Sequence, residues 1–292
     1  MLSSISMRRA QIVILARLLG AGSDELASLD RLEAAEIAEL RQWISDQLFD
    51  ELAPIFARVS KLAPLVPDAL AAKIALKILP PEVAGRGGGA VGLEHIHRAP
   101  AMLRAVTPQY LADAAPYIDP RVIPAVVPHL DGALLIPVAR ELLRRKDYVT
   151  ASMFVAYATP RIAKELEPGL DDDEGIVATA ALVMSDARIN DVMRTVAPAR
   201  LDRMGRTLAV ASSEIQQAAL SLLPRLNAEF ATPIARALVD ASDPVGLAGF
   251  VGAARTAGVG ADLETFAGLL DEARQRRFET AAAMVGGTAA AS

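Results

Sequence analysis

The chain has no cysteine, three histidines, one tryptophan and, among 30 basic residues, only five lysines. Without Cys there is no disulfide framework, thiolate metal site or thiol nucleophile, so any chemistry must come from oxygen and nitrogen groups. One Trp, four Tyr and seven Phe in 292 residues leave few platforms for stacking bases or sugars. Acidic residues outnumber basic ones, 35 to 30, and a pI near 5.4 argues against a nucleic-acid partner, whose phosphates select a basic surface. Long apolar runs are also missing. The longest charge-free stretches, Tyr148 to Pro160 and Thr280 to Ser292, have 13 residues each, short of the roughly 18 that span a bilayer. No transmembrane segment is therefore expected, despite a mean hydropathy of +0.31.

Arg8 and Arg9 followed by QIVILARLLGAGS superficially resemble a signal peptide. Arg17 interrupts the apolar run, and the segment reads as the amphipathic first helix of a mature cytoplasmic protein. The excess of Arg over Lys goes with the Ala and Gly richness of GC-rich genomes and points to a bacterial source. Hydrophobic residues make up 52% of the chain and the net charge is small, so a substantial core can form.

One period dominates. In Arg31 to Asp50, apolar Leu32, Ala35, Ile37, Leu40, Ile44 and Leu48 recur at spacings near three and four, with Glu33, Glu36, Glu39 and Arg41 largely elsewhere. This is an amphipathic helix, with Asp30 as N-cap and Glu33 completing a capping-box pair. Alternating β-branched runs bounded by hairpin turns do not occur, so the chain is all-α. Beyond about residue 60, stop-and-restart marks recur roughly every 11–15 residues: at Thr107-Pro108, Asp119-Pro120, Asp131-Gly132, Asp147, Thr159-Pro160, Asp172, Ser185-Asp186, Ala197-Pro198, Ser212, Asn227 and Asp243-Pro244. Most combine an N-capping side chain with Pro at the first helical position. Such spacing predicts a superhelical stack of short antiparallel helices, α-solenoid-like, with an irregular helical bundle as the alternative.

The corners carry a resemblance. Ile78-Leu79-Pro80-Pro81-Glu82-Val83-Ala84, Ile118-Asp119-Pro120-Arg121-Val122 and Leu170-Asp171-Asp172-Asp173-Glu174 resemble the corners of the cytosolic N-terminal superhelical domain of MgtE-type magnesium transporters, and more distantly HEAT-like repeats, over residues 60–245. Lacking transmembrane segments, the chain departs from the transporter. The resemblance implies a superhelical fold and a regulatory or binding role, not transport.

Two stretches break the pattern. Ala84 to Gly92 is too glycine-rich to be helical, since each interior Gly costs about 1 kcal/mol relative to Ala. It reads as a flexible corner over 85–92, between an N-terminal helical module (1–84) and a short-helix repeat array (93–278). Residues 279–292 read as a disordered tail.

Site-like clusters are few. Glu94, His95 and His97 group two imidazoles with a carboxylate, and His129 or Asp131 could add a third metal ligand. Zinc normally takes three or four protein ligands, however, and residues two apart on a helix do not share a face. The glycine-rich stretch lacks the Gly-Lys-Ser/Thr ending of a phosphate-binding loop. Asp171 to Glu174 suit a helix start, with weak Mg²⁺ or Ca²⁺ association as the alternative. No nucleophile elbow appears. No catalytic residue, metal or cofactor is therefore assigned. The expectation is a non-enzymatic helical-repeat protein, a scaffold or regulator binding a protein or peptide partner on its curved face. The alternative is a carrier enclosing an apolar, lipid-like small molecule, motivated by segments such as Tyr148 to Thr159 that are apolar nearly all round. Oligomeric state stays open.

Overall fold

The computed structural model describes residues 6–62 and 77–289, and every regular element among them is helical. No described helix is long and apolar enough to cross a membrane. The chain divides into two compact units, Arg8–Leu170 and the chain from Asp171 onward, with which Met7 also groups.

The first unit holds α1 (Met7–Leu19), a 3-10 run over Ser23–Arg31, α2 (Ala34–Leu62), α3 (Pro81–Glu94), α4 (Ala99–Arg104), α5 (Pro108–Ala114), α6 (Ile123–Val126), α7 (Gly132–Arg144), α8 (Tyr148–Val155) and α9 (Pro160–Leu166). Ile12 and Leu15 of α1 are buried against Ile37 of α2, covered by Leu26, Leu29 and Leu32. The N-terminal apolar run is thus a core helix, and Arg17 anchors it by bonding Asp147 Oδ1 at 3.0 Å and Thr150 Oγ1 at 2.7 Å. Farther along, α3, α5, α7 and α9 stack in series, each on the helix two elements later.

The second unit comprises α10 (Asp173–Ala181), α11 (Asp186–Met193), α12 (Pro198–Val210), α13 (Ser213–Leu222), α14 (Ala228–Ala241), α15 (Pro244–Thr256), α16 (Gly260–Gly268) and α17 (Glu272–Ala289). Here α12 packs on α14, α13 on α15, and α15 on α17. Short helices that cannot bury their own apolar faces stack in this way, an arrangement that fits an α-solenoid. Gly205 lets α12 and α14 touch: a Cβ there would lie 2.3 Å from the Ile234 carbonyl oxygen and 2.6 Å from Ala237 Cβ.

Three sequence expectations are corrected. The glycine-rich segment 85–92 is helical and lies inside α3 and the first unit. Packing overrides propensity: α3 lies against α2 and α5, and Gly85 sits where a Cβ would meet Ala114 O at 2.5 Å and Tyr117 Cβ at 2.8 Å. Residues 279–289 continue α17, because Phe278 and Ala281 are buried and Phe278 stacks 5.2 Å from Phe266, which in turn lies 5.3 Å from Phe250; 290–292 lie outside the described residues. Finally, α2 starts at Ala34, and it is the Glu36 carboxylate that accepts from Glu33 N at 2.8 Å, while Asp30 ends up in the 3-10 run.

Most corners are as read. Thr107, Asp147, Thr159, Asp172, Ser185, Ser212 and Asp243 each accept the N–H three residues on, satisfying donors that a helix start leaves unpaired. Asp119 instead opens a turn and holds Arg121 N at 2.9 Å. Arginine does the rest. Arg161 donates to Pro128 O and Leu130 O at 2.9 and 2.8 Å, Arg225 to Ala181 O at 3.1 Å and to Val183 O, and Arg277 to Ser242 O at 3.0 Å. A guanidinium presents five donors in a rigid planar fork, which suits it to hold carbonyls of neighbouring turns, so the Arg-over-Lys skew has a structural use in joining successive helix pairs.

Candidate functional site

Helix α2 is where unusual residues meet, and its two faces differ. On the outer face Glu36, Glu39, Trp43, Gln47 and Glu51 follow one another at steps of three and four, and all are exposed, forming one stripe along the helix. Trp43, the only tryptophan, is 65% exposed at its centre. No cation among the described residues pairs with Glu39 or Glu51. Asp50, at the stripe's edge, is held by Arg121 at 2.7 Å.

The inner face repeats every fourth residue: Ile37, Arg41, Ser45 and Phe49. Arg41 therefore points inward, contrary to its expected place on the polar side. It lines a small cleft in the first unit, with a volume of about 20 Å³, walled by Ile14 and Leu18 of α1, Phe49, Pro116, Ile118 and Met153 of α8. Arg41, Gln42, Ser45 and Tyr117 supply the polar lining. Gln42 donates to Asp46 at 2.9 Å. Arg121 takes the carboxylates of this region, Asp50 at 2.7 Å, Asp119 at 2.9 Å and Asp46 at 3.7 Å, with its guanidinium carbon 5.8 Å from the Phe49 ring centre. Those carboxylates hold the Arg121 guanidinium above its ordinary range, chiefly through its bonds to Asp119 and Asp50.

Arg41 has none of this. Its Nε is buried without a hydrogen-bond partner, as is the Ser45 hydroxyl, whose residue is 3% exposed. Burial pushes the Arg41 guanidinium below its ordinary range, and the nearby Tyr157 acts the other way. A desolvated cation and a hydroxyl one turn apart on α2 are thus left without hydrogen-bond partners at these atoms, which costs free energy in a buried place.

Of the residues proposed from sequence for a metal, Glu94 closes α3 with its side chain outside the described residues, and His95 lies in the following turn. His97 and His129 do come together, edge to face with ring centres 6.5 Å apart, and both are exposed. Asp131 is bound to Arg104 at 3.0 Å. Among the described residues no group of three or more His, Asp or Glu is placed to hold a metal ion. The acidic run divides its labour: Asp172 caps α10 by accepting from Gly175 N at 2.8 Å, and buried Asp173 binds Arg200 and Arg203 at 2.9 and 2.7 Å. The basic cluster after α7 turns on Glu141, whose carboxyl is pulled down to about 2 by hydrogen bonds from Arg144 and Arg145.

Trp43 falls outside the apolar set of α2, and that is the signal by which sequence could have found it: a large aromatic on a helix's polar face. For Arg41 and Ser45 the only signal was their four-residue step from Ile37. Comparison with protein-family models, with curated proteins and with solved structures found no significant match to this chain.

Proposed function

We propose that the chain is a cytoplasmic, non-enzymatic helical-repeat protein that binds a cationic protein or peptide partner on the outer stripe of α2. The observation that carries this is Trp43, 65% exposed and flanked along one face by Glu36, Glu39 and Glu51. An indole face attracts an Arg or Lys side chain with about 0.5–1 kcal/mol when exposed and about 2 when desolvated, and flanking carboxylates steer a basic segment onto it. Tryptophan is also the residue type that most often anchors an interface. Stacking of alternate helices, α3 on α5, α5 on α7, α7 on α9, α12 on α14 and α15 on α17, supports a HEAT-like or MgtE-type superhelical architecture, in which a scaffold or regulatory role is the expected use.

Because Trp43 is the sole tryptophan, its fluorescence reports directly on this face. Titration with an Arg- and Lys-bearing peptide should change the emission saturably, the affinity should fall as salt rises, and Trp43→Ala should abolish binding measured by calorimetry. An equal response to an acidic peptide of the same length, or none to the basic one, refutes the assignment.

A further inference from the structure

We infer that the partner held by the outer stripe of α2 is itself a helix, a basic one of about four turns laid along α2 with its cations on one face. The inference rests on the reading of that stripe as the seat of a cationic partner, and adds the partner's conformation and register. Three observations lead to it. First, Glu36, Glu39, Trp43, Gln47 and Glu51 are all exposed, and the stripe they form rises about 22 Å at 1.5 Å per residue. Its groups recur at steps of about 4.5–6 Å along the axis. A second helix presents side chains at the same steps, whereas same-side residues of an extended peptide recur about every 6.7 Å and fall out of step over the stripe. Second, this face lacks what other modes of peptide recognition use. Every regular element among the described residues is helical, so there is no sheet edge for a strand to join, and a lone indole is not the aromatic-lined groove that seats a proline-rich segment. Third, the stripe carries three carboxylates and no cation. The α2 of a second copy, set against it by a two-fold axis, would oppose carboxylate to carboxylate. The basic run of α17 is engaged elsewhere: Arg274 with Asp240, Arg276 with Glu272 and Arg277 with the Ser242 carbonyl. On a basic partner helix one Arg stacks on the indole. The apolar stems of neighbouring Arg and Lys cover the ring edges while their heads reach the flanking carboxylates.

Three peptides of equal charge and about 16 residues, long enough to span the stripe as a helix, test this on the full chain by Trp43 fluorescence and calorimetry. The first carries its Arg at steps of three and four in an Ala- and Gln-rich background. The second has the same residues permuted so that the Arg point all round, and the third is the first with two interior alanines replaced by proline. The first should bind, and far-UV circular dichroism of the complex should show more helix than its free components together. Permutation should weaken binding by about threefold or more, because cations turned away from α2 lose their pairs. Proline, which breaks a helix interior, should weaken it by about tenfold or more. Glu39→Gln and Glu51→Gln, both at exposed positions, should each weaken the first peptide by about 1.5- to 5-fold and flatten its salt dependence. If the proline peptide binds as tightly as the first, or the complex gains no helix, the partner is an extended basic segment: the helical assignment falls and the cationic one stands. Equal binding of the first and permuted peptides has the same consequence, because register then plays no part. If no basic peptide binds, both assignments fall. Self-association of the chain that Trp43→Ala removes and the first peptide competes away gives the stripe to a second copy, and that too overturns the inference.

Discussion

The two units are built from the same short helices but settle their polar groups differently. Six buried side-chain polar atoms among the described residues lack a partner; five, on Arg8, Gln11, Asp30, Arg41 and Ser45, belong to the first unit, and only Thr179 Oγ1 belongs to the second. In the second unit the comparable buried charge, Arg200, is closed on Asp173, the α12–α14 crossing is tight enough to demand Gly205, and Phe250, Phe266 and Phe278 form a continuous aromatic core. Satisfied polar networks and dense packing fix one structure. Where local rules are broken, function is the usual reason. The second unit is therefore the more fully satisfied of the two, and the unpartnered buried groups lie mainly in the first.

Substitutions can break or sharpen that contrast. The largest effect should come from Asp173→Ala, which leaves Arg200 buried and unpaired; loss of a buried ion-pair partner costs about 3–5 kcal/mol, to be read as a lower urea midpoint. If Asp173→Ala costs no more than a surface change, closure of its buried charges is not what distinguishes the second unit. Next, Gly205→Ala forces a methyl against the Ile234 carbonyl and should cost about 1–3 kcal/mol as overpacking, whereas Ala at exposed Gly88 of α3, where a Cβ meets nothing within 4 Å, should stabilise the first unit by about 0.5–1 kcal/mol.

A smaller effect concerns acid. The folded-state carboxyl of Glu141 lies below its ordinary value of 4.5, near 2, so its contribution is fully present above about pH 4.5 and is lost as the pH falls toward 2. Urea titrations of wild type and Glu141→Gln should differ by a constant amount at neutral pH and converge in that acid window. A difference that persists at pH 2 removes the ion-pair explanation. Least of all, Trp43→Ala should change stability by no more than about 0.5 kcal/mol, as expected of a surface residue, while abolishing peptide binding.

Local chemistry made much of the fold legible. Thr107, Thr159, Asp172 and Asp243 cap helices through bonds that reach three residues along the chain, and a helix start carries that signal in its own few letters. Two departures have one physical cause. Propensity and composition argue against helix at 85–92 and 279–289, but these helices are held by neighbours distant in sequence: Ala114 and Tyr117 at Gly85, Phe266 at Phe278. Of the candidate sites, the His97–His129 proximity was half visible, since the sequence named both residues without showing that Asp131 would be taken by Arg104. The inner cleft was not visible at all, because its walls come from α1, α2, the segment 116–120 and α8.

Composition, period and capping chemistry by themselves determined that this chain is a succession of short helices, because those signals act within one or two turns of backbone. Which arginine reaches which carbonyl, why Gly205 must be glycine, and that Arg41 and Ser45 share an apolar cleft while Trp43 faces water were decided only by tertiary packing. Such contacts join residues tens of positions apart, and their energies depend on burial and distance, which no local run of letters encodes.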